Sequence, residues 1–375
     1  MKRNNIIIFC TDFHYLKIFF TEQTKLLALH GNVTVICSAS KKDFNKEFLE
    51  YKNIQHFNVK VGRKISLIND FVTALRVIYL FLLKRPVMIQ SIFPKSGFLG
   101  MILGLICFVP IRSHIFTGQV WASAKGPKRI LLKLADKLIA LCATHVLADA
   151  PAQKLFLIEN NIVKKSKIDV LGKGSISGVD FKKFSVPKFK LSRITEEFTC
   201  IFFGRMTYEK GFDIILESFK YFGRHKENIH LVVIGPDEDN FKSQIDQLNN
   251  IYSNISNKGF VKRPQDFLAI SDLLLLPSHR EGFGSVVIEA ASMAVPTVGS
   301  SIYGLEDSII DNVTGIKIQE IESKYLIEAI LKIKNNKEMY RDLCFNAKKY
   351  AHENFDQEHV LNNWNQYFIN LLEKN

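Results

Sequence analysis

The stretch DLLLLPSHREGFGSVVIEAASMAVPTVGSS, residues 272–301, contains a complete pattern of strand, helix and strand. The uncharged run LLLLPS predicts a buried strand, VVIEAASMA carries apolar residues at helical spacing, and PTVGSS predicts a second strand. Two consecutive strands joined by a helix run parallel, and parallel sheets need helices on both faces. The stretch therefore predicts an α/β fold built on a parallel sheet.

Two glutamates in this stretch, Glu281 and Glu289, flank a Gly-Phe-Gly turn at 282–284. Ser285 is predicted as the N-cap of the helix, whose free amides attract phosphate, and the glycines remove side chains that would block a ligand. Carboxylates accept hydrogen bonds from vicinal hydroxyls, such as those of a ribose or a sugar ring. The alternative, that Glu289 only complements the helix dipole, leaves Glu281 and the glycines unexplained.

The same alternation runs along the whole chain. Short apolar runs predict strands at 5–10, 33–38, 87–92, 111–117, 144–150 and 167–172, and again at 198–204, 230–235, 255–261, 272–278 and 296–301. The polar, basic segment 181–198 separates the two series and predicts a linker. Because 375 residues exceed one ordinary core, we expect two domains, 1–188 and 189–357. Each is predicted to be a doubly wound, Rossmann-like sheet, and the two are expected to face a central cleft.

Composition narrows the class of protein. Hydrophobic residues make up 47% and charged residues 23% of the chain, as in globular proteins. Six cysteines occur without a Cys-x-x-Cys pair, which predicts reduced, buried thiols in a cytosolic protein. The N-terminal sequence MKRNNIIIFCTDF lacks the apolar length of a signal peptide. The uncharged run 96–111 is shorter than the ~20 residues that cross a bilayer, and it predicts a buried or interfacial helix followed by a strand.

Positive charge is concentrated in the first half of the chain. Residues 1–188 hold 29 Lys and Arg against 11 Asp and Glu, a net charge of +18, whereas residues 189–375 hold 21 against 26. This asymmetry predicts that the first half meets a polyanion, such as a membrane surface, a phosphorylated lipid or nucleic acid. A lysine-rich solvated surface is the alternative. No nucleic-acid-binding module with interleaved aromatic and basic residues is recognisable, so we expect no nucleic acid partner.

Two cations follow the first strand of the second series. Gly204 ends the run CIFFG, and Arg205 and Lys210 come after it. A glycine lets the backbone approach a ligand closely, and a guanidinium with a mobile ammonium suits a diphosphate. In open parallel sheets, ligands bind beyond the carboxyl ends of the strands, where these residues are predicted to lie. The alternative is that the two cations form surface ion pairs.

GRMTYEKGFD (204–213) together with LPSHREGFGSVVIEAASMAVPTV (276–298) resembles the nucleotide-binding domain of retaining GT-B glycosyltransferases of the family-4 class. The Glu-x7-Glu motif of that class is present as Glu281 and Glu289. Residues 94–184 resemble the corresponding acceptor domain, and the similarity covers nearly the whole chain. It is closest to bacterial enzymes that extend O-antigen, capsule or other lipid-linked surface glycans. The resemblance also implies that the last helix, residues 358–375, packs back on the first domain.

The resemblance implies a role for each matching residue of the donor site. Arg205 and Lys210 hold the diphosphate of a nucleotide sugar, Glu289 binds the ribose, and Glu281 binds the donor sugar. Fixed cations and helix amides stabilise the departing diphosphate, so that no metal ion or other cofactor is expected. The expected catalytic residues are Glu281, Arg205, Lys210 and Gln119, and the further donor contacts are Gly204, Phe260, Val261, Gly282, Phe283 and Gly284.

Two departures from the pattern of the family concern the acceptor side. Many relatives have a catalytic His-Gly after the strand predicted at 111–117, whereas this chain has Thr-Gly-Gln at 117–119, and His114 falls within the strand. Either Gln119 supplies the hydrogen bond to the sugar, or that contact is absent. The usual Gly-Gly turn after the first strand is replaced by CTDFHYLK. His14 in this segment is explained equally well as an acceptor contact and as an ordinary loop residue. The acceptor-side candidates are Asp12, His14, Lys95 and Thr117.

Two further motifs are predicted to have no catalytic role. Asp237-Glu238-Asp239 resembles an Asp-x-Asp metal motif, but it follows a predicted strand, where acids commonly begin a helix or a turn. The glycine-rich segment GKGSISG, residues 172–178, lacks the Gly-Lys-Ser/Thr ending of a P-loop. The resemblance implies that it is a loop or hinge, because a similar segment links the domains in that family.

The expected function is that of a retaining, metal-independent hexosyltransferase. The resemblance implies transfer of a hexose or N-acetylhexosamine from a nucleotide sugar, with UDP as the favoured nucleotide. The acceptor is expected to be an undecaprenyl-diphosphate-linked glycan, and the enzyme is expected at the anionic, cytoplasmic face of the membrane as a peripheral protein. The alternatives are a nucleotide-sugar-binding protein of the same fold with weak catalysis, and a transferase that uses a GDP-sugar or a different acceptor.

Overall fold

The computed structural model describes residues 4–59, 66–186 and 197–373, the side chain of Leu67 excepted. The chain divides into two compact units. Unit 1 comprises residues 1–177 and 358–375, and unit 2 comprises residues 178–357. Residues 187–196, the greater part of the segment predicted to be a linker, lie outside the described residues.

Unit 1 is built on a parallel sheet. Its strands β1 to β7 are Asn4–Asp12, Gly31–Ser38, Ile54–Asn58, Met88–Ile92, Ile111–Phe116, His145–Ala148 and Ile168–Asp169. They pair in the order β3-β2-β1-β4-β5-β6-β7, and every pairing is parallel. The order reverses between β1 and β4, which makes the sheet doubly wound and leaves a crevice at the carboxyl ends of these two strands.

Helices cover both faces of this sheet, as its apolar strands require. Helices α1 to α7 are Phe13–Phe19, Thr21–His30, Lys41–Phe48, Leu67–Lys84, Pro94–Ile106, Gly126–Cys142 and Pro151–Glu159. Because successive side chains of a strand point to opposite faces, Ile6 and Ile8 of β1 pack with helices α1 to α3, whereas Ile7 and Phe9 pack with helices α4 to α7.

The last helix of the chain, Gln357–Glu373, packs on the first of these two faces. Its Trp364 packs edge to face against Phe20, the residue just before α2, with 5.2 Å between ring centroids. The Trp364 indole also donates a hydrogen bond from Nε1 to the carbonyl oxygen of Ile176 at 2.9 Å. Phe368, one helical turn further on, is buried in the same cluster. The helix therefore completes the core of unit 1.

Unit 2 contains a second parallel sheet of the same kind. Its strands β8 to β13 are Phe198–Phe203, Ile229–Ile234, Ile255–Gly259, Leu273–Leu276, Thr297–Ser300 and Gly315–Ile318. Its helices α8 to α13 are Phe212–Arg224, Lys242–Tyr252, Pro264–Ala269, Ser285–Ser292, Ser323–Asn335 and Lys337–Asn354, and the last helix of the chain is therefore α14. The strand order is β10-β9-β8-β11-β12-β13, so the reversal occurs between β8 and β11.

The predicted fold class, α/β with two doubly wound parallel sheets, is confirmed. Every predicted strand overlaps an observed one, but β3 and β13 were not predicted. Both lie at sheet edges and are short, so their apolar residues do not form a long buried run. The prediction of six buried thiols is wrong for Cys107, Cys142 and Cys344, which are partly exposed.

The uncharged run 96–111 was predicted to be a helix followed by a strand, and this is confirmed. Residues 96–106 lie in α5, and residue 111 begins β5. Among the helices of the described ranges, none combines the length and the apolar character that crossing a bilayer requires.

Replacing Trp364 by Ala is expected to lower the free energy of unfolding of unit 1 by about 3–5 kcal/mol, because the change leaves a cavity and removes a buried hydrogen bond. Denaturant unfolding followed by circular dichroism measures this loss. Asn362→Ala, at an exposed position of the same helix, is the matched control and is expected to change stability by less than about 0.5 kcal/mol. Equal stabilities of the two variants would show that α14 contributes little to the unit.

Candidate active site

The reversal of strand order in unit 2 brings two loops together. The loop after β8 contains residues 204–211, and the loop after β11 contains residues 277–284. Since β8 and β11 are neighbours, both loops leave the same edge of the sheet at its crevice. In doubly wound sheets this crevice is where ligands bind. The residues predicted to hold the diphosphate and the donor sugar therefore lie side by side within unit 2.

An ion pair joins these two loops. Lys210 Nζ lies 2.6 Å from Glu281 Oε1, which also accepts a hydrogen bond from Ser278 Oγ at 2.9 Å. The two side chains are only 17% and 10% exposed. Across the described ranges, Glu281 Oε2 has no hydrogen-bond partner. The carboxylate therefore holds the lysine with one oxygen and can accept a hydrogen bond from a ligand with the other.

Backbone packing fixes the loop that carries Lys210. Thr207 Oγ1 accepts a hydrogen bond from the Lys210 amide at 3.3 Å and caps a short 3₁₀ turn. The turn ends at Gly211, whose φ of 66° lies in the left-handed region. A Cβ atom on this residue would stand 2.1 Å from the carbonyl oxygen of Pro277, so that only glycine fits. The two loops are thus in backbone contact where the ion pair forms.

Arg205, the second predicted cation, lies among acids. Its Nη1 is 2.7 Å from Glu238 Oε2, and its Nη2 is 3.6 Å from Glu209 Oε1. Glu209 is also held by Arg280 through three contacts of 2.7 to 3.1 Å. The sequence left two interpretations open for Arg205 and Lys210, diphosphate ligands or ion pairs. The structure shows ion pairs, and the diphosphate role stays a prediction.

The Gly-Phe-Gly turn leads directly into α11. Ser285 was predicted as the N-cap, and this is wrong: the helix begins at Ser285, and the capping position is Gly284. Gly284 has a φ of 74°, a conformation that glycine adopts without strain, which explains the displacement by one residue. The side chain of Phe283 is buried against the ring of Phe355, with 5.1 Å between centroids, so only its backbone is left to meet a ligand. Gly282, between Glu281 and Phe283, is half-buried.

Glu289 lies in the middle of α11, one turn from its beginning. Burial raises the pKa of its carboxyl from 4.5 to about 7, and the positive charge of Lys183 opposes this shift. Part of the residue reaches solvent, and no described residue donates a hydrogen bond to its carboxylate. A carboxylate in this state gains from hydroxyl donors, because hydrogen bonds to the charged form offset the cost of burying it.

The remaining residues predicted for the donor follow neighbouring strands. Gly204 comes directly after β8, and its amide donates to the Ile234 carbonyl at 3.0 Å. Phe260 and Val261 follow β10, which ends at Gly259, two residues earlier than predicted. Phe260 is exposed and Val261 is half-buried. All three residues lie at the carboxyl edge of the sheet of unit 2.

The carboxylates of Asp237, Glu238 and Asp239 accept hydrogen bonds from backbone amides and from Arg205, and they do not converge on a metal-binding cluster. Asp237 accepts hydrogen bonds from the amides of Phe241 and Lys242, each at 2.9 Å, and so precedes α9 as the sequence predicted for acids at a helix start. Asp239 accepts one from the Tyr208 amide at 2.9 Å. Within the described residues, no three His, Cys, Asp or Glu side chains converge as metal ligands would.

The acceptor-side candidates of unit 1 lie around its own crevice. Asp12 ends β1 and caps α1 by accepting a hydrogen bond from the His14 amide at 2.9 Å. Lys95 follows the neighbouring strand β4, and its Nζ lies 2.8 Å from Asp70 Oδ1. Thr117, half-buried, follows the next strand, β5. The structure thus places these residues at the ends of β1, β4 and β5, and their roles stay predictions.

Gln119 and His114 are both buried in unit 1. The amide oxygen of Gln119 lies 3.5 Å from Gln153 Nε2, and the residue is 1% exposed. His114 lies within β5, as predicted, and its Nδ1 is 2.7 Å from Ser91 Oγ. Burial lowers the pKa of His114 to about 3, so this imidazole is neutral at physiological pH. The glycine-rich segment 172–178 forms no helix or strand, in agreement with its prediction as a loop.

Three residues of the site were not singled out from the sequence: Ser278, Glu209 and Arg280. Arg280 and Glu209 are 71 positions apart, so no local pattern links them. Ser278 and Arg280 stand beside Glu281 in the opening stretch, and their position after a buried strand was the signal available.

Comparisons with known proteins point to one family. The family described as Glycosyl transferases group 1 matches residues 186–350. The capsular polysaccharide biosynthesis glycosyltransferase CapM of Staphylococcus aureus is 30% identical over 322 residues, 84% of each protein. The UDP-Gal:alpha-D-GlcNAc-diphosphoundecaprenol alpha-1,3-galactosyltransferase of Escherichia coli is 24% identical over 289 residues, 73% of each protein. Sucrose-phosphate synthase from Thermosynechococcus elongatus has a similar fold, with a TM-score of 0.81 at 16% identity over 100% of both chains.

Glu289→Gln is expected to stabilise unit 2 in alkaline solution. The folded-state pKa of Glu289 is about 7, above its ordinary value of 4.5. In the pH window between these two values, the folded protein keeps a proton that the unfolded chain loses. The wild type therefore loses stability as the pH rises through it, whereas the Gln variant does not. We expect a gain of about 1–3 kcal/mol at about pH 8 and almost none at about pH 5.

Denaturant unfolding at the two pH values measures this difference. Glu320→Gln, which changes an exposed glutamate of the same unit, is the matched control and is expected to leave both values unchanged. If the Glu289→Gln variant and the wild type were equally stable at about pH 8, the charge of Glu289 would not be costly to bury.

Proposed function

The chain belongs to the group 1 glycosyltransferases and has their GT-B fold, and we propose that it transfers a sugar from a UDP-linked donor to a lipid-diphosphate-linked glycan. The sugar is a hexose or an N-acetylhexosamine, and the anomeric configuration is retained. The glycan is part of a bacterial surface polysaccharide. The names of the two relatives support this choice, because one acts in capsule biosynthesis and the other uses UDP-galactose and a diphosphoundecaprenol acceptor.

The observation that carries the proposal is the pair of Lys210 and Glu281 at the strand reversal of unit 2. A cation and a carboxylate bridge the two loops of the crevice, and the carboxylate has one oxygen available. A nucleotide sugar needs both groups close together, because its diphosphate is directly bonded to the anomeric carbon of the sugar. In this proposal Lys210 binds a diphosphate oxygen, and Glu281 accepts hydrogen bonds from hydroxyls of the sugar.

Arg205 is the second diphosphate ligand in this proposal. Its guanidinium is 30% exposed and is held by two carboxylates at the mouth of the crevice. A diphosphate, like a carboxylate, offers negative charge and pairs of acceptor oxygens that match the guanidinium fork, so it can replace one of these carboxylates. Arg280 is a poorer candidate, because Glu209 already occupies its guanidinium with three close contacts.

The remaining predicted residues contact the nucleoside, the sugar and the phosphate groups in this proposal. Glu289 accepts hydrogen bonds from the ribose hydroxyls, which favours its ionised form and lowers its pKa from about 7. The backbone at Phe260 and Val261, after β10, flanks the base. The amides of Phe283 and Gly284, at the start of α11, face the sugar and the phosphate. The backbone at Gly204 allows the diphosphate to approach closely.

The transfer step follows from these contacts. The bond between the anomeric carbon and the diphosphate oxygen breaks, and the acceptor hydroxyl forms the new bond from the same face of the sugar. The departing diphosphate takes the proton of that hydroxyl, which balances the reaction without a further base. Arg205, Lys210 and the amides of α11 stabilise the negative charge that develops on the leaving group. Because these groups supply the positive charge, we propose transfer that needs no metal ion.

Unit 1 binds the acceptor in this proposal. Asp12, His14 and Lys95 lie at its strand reversal, where the doubly wound fold places ligands, and Thr117 follows the adjoining strand. Gln119 is the candidate for a hydrogen bond to the transferred sugar. The net charge of +18 over residues 1–188 suits a diphosphate-linked lipid and the anionic surface in which it is embedded. We therefore propose that the protein works at the cytoplasmic face of the membrane as a peripheral enzyme.

Arg205→Ala and Lys210→Ala are each expected to weaken UDP binding by about 10- to 100-fold, since each removes a charge-assisted contact with the diphosphate. Isothermal titration calorimetry with UDP measures the affinity. Arg263→Ala is the matched control, because Arg263 belongs to the same unit but pairs with Asp266 on the exposed surface. Unchanged affinity in both site variants would contradict the diphosphate role.

Glu281→Gln is expected to lower the rate of sugar transfer by about 100-fold or more while UDP binding is kept. The amide removes the negative charge and one of the two oxygens that can accept hydrogen bonds from the sugar hydroxyls. It also releases Lys210 from its ion pair, so the affinity for UDP is not expected to fall. Mass spectrometry of a lipid-diphosphate acceptor incubated with nucleotide sugars measures transfer. Glu320→Gln serves as the control, and a Glu281→Gln variant with wild-type transfer would refute the sugar-binding role.

A further inference from the structure

Helix α4 carries an apolar stripe that faces away from the core. Phe71, Leu75, Tyr79 and Leu82 follow one another at helical spacing, and their exposed fractions lie between 52% and 66%. The opposite side of the same helix supplies Val77 and Phe81 to the core of unit 1. The stripe spans eleven residue steps, from residue 71 to residue 82, so it is about 17 Å long. A soluble surface rarely exposes so many large apolar side chains in one row.

Helix α6 carries a second stripe of the same kind. Ile130, Leu134, Leu138 and Leu141 are between 44% and 65% exposed, while Ile139 of the same helix is buried in the core. Helices α4 and α6 cover the same face of the sheet, and α5 contacts both. At the end of α5, Phe108 is 89% exposed. The outer surface of α4, α5 and α6, here called the α4–α6 face, is therefore one broad apolar surface.

The charges on this face have one sign. Residues 66–142 contain ten Lys and Arg but only two acids, Asp70 and Asp136. Neither acid is available to a partner, because Asp70 is paired with Lys95 at 2.8 Å and Asp136 is buried, accepting a hydrogen bond from the Trp121 indole at 2.7 Å. The basic residues Lys128 and Arg129 are exposed next to the α6 stripe. The partner of this face must therefore be apolar and anionic.

We propose that the α4–α6 face docks on an anionic lipid bilayer. The two helices lie in the plane of the membrane, with their leucine, phenylalanine and tyrosine side chains in the boundary between headgroups and acyl chains. The lysine and arginine side chains contact the anionic headgroups. This inference deepens the membrane association in the proposed function, since it identifies the surface and adds insertion of apolar side chains to electrostatic attraction.

A second copy of the chain fits this face less well than a bilayer. In a symmetric dimer the same patch contacts itself, so that the basic residues of α6 would lie against one another. The face has no available acid to offset this repulsion. A bilayer provides both an apolar layer and negative charge over the full length of the two helices. An acidic protein with an apolar surface is the remaining possible partner, and vesicle binding distinguishes a bilayer from such a protein.

The test measures binding of the full-length protein to vesicles. Wild-type protein is expected to bind vesicles of phosphatidylglycerol and phosphatidylcholine, and to bind pure phosphatidylcholine more weakly. Leu134→Gln/Leu138→Gln is expected to lower the partition coefficient by about tenfold or more, because two apolar side chains no longer insert. Lys128→Gln/Arg129→Gln is expected to lower it by about tenfold on the anionic vesicles alone.

Matched control positions exist on the other face of the same sheet. Leu29, at the end of α2, and Leu49, which follows α3, are exposed leucines outside the α4–α6 face. Leu29→Gln/Leu49→Gln is expected to bind vesicles as the wild type does. Thermal unfolding of all variants checks that they fold, which exposed positions permit.

Tryptophan fluorescence reports insertion directly. Both native tryptophans, Trp121 and Trp364, are fully buried, so their emission provides a constant background. Leu134→Trp is expected to shift its emission to the blue when anionic vesicles are added, because the ring enters the lipid. Leu29→Trp is expected to show no shift.

The proposal is overturned if the wild type does not bind anionic vesicles, or if the Leu134→Gln/Leu138→Gln variant binds them as the wild type does. It is also overturned if light scattering shows a dimer that this variant dissociates, since a second copy then covers the face. If the protein is monomeric and does not bind vesicles, an acidic protein with an apolar surface remains as the partner of the α4–α6 face. UDP binding is measured in parallel: vesicle binding without UDP binding would refute the proposed function alone, and the converse would refute only the docking surface.

Discussion

Parallel pairing of strands is the constraint on which both units depend. Parallel strands cannot be joined by tight turns, so nearly every connection contains a helix that crosses one face of the sheet. The exception is the connection of β12 to β13, residues 301–314, which contains only a short 3₁₀ turn. In each unit the chain winds outward from its first strand in one direction and then in the other, which places β1 beside β4 and β8 beside β11. At those two places the loops diverge, and polar side chains can lie at the edge of an otherwise apolar sheet.

The pair of Lys210 and Glu281 shows how this constraint produces a site. The two residues come from loops on either side of the reversal, and their ion pair is largely buried. Two charges lose most of their hydration there, so the pair is weak support for stability. In the proposed function the pair is a poised arrangement, because a ligand with a diphosphate and hydroxyl groups satisfies both partners at little cost of reorganisation. The neighbouring pair of Arg280 and Glu209 holds the same two loops together through a bidentate contact.

Local patterns in the sequence predicted most of the fold and part of the site. Buried central strands such as β8 and β11 are visible as apolar runs, whereas polar residues interrupt the apolar ones in the edge strands β3 (IQHFN) and β13 (GIKI). The acids Glu281 and Glu289 were found because both lie within one strand-loop-helix unit. The contact of Glu209 with Arg280 joins residues 71 positions apart, so no local pattern predicts it. The capping residue, Gly284, is determined by its backbone φ angle, which the sequence does not give.

The charge of the first half illustrates a different limit. A net charge of +18 predicts an anionic partner but is compatible with any surface of the domain. Residues 129–143 carry apolar residues at helical spacing, and a helix of this kind is ordinarily placed against a core. In the structure, Ile139 faces the core while Leu134 and Leu138 face outward, so the helix is apolar on two sides. One side is explained by the sheet that it covers. The other requires a second apolar phase, and the basic residues around it require that phase to be negatively charged.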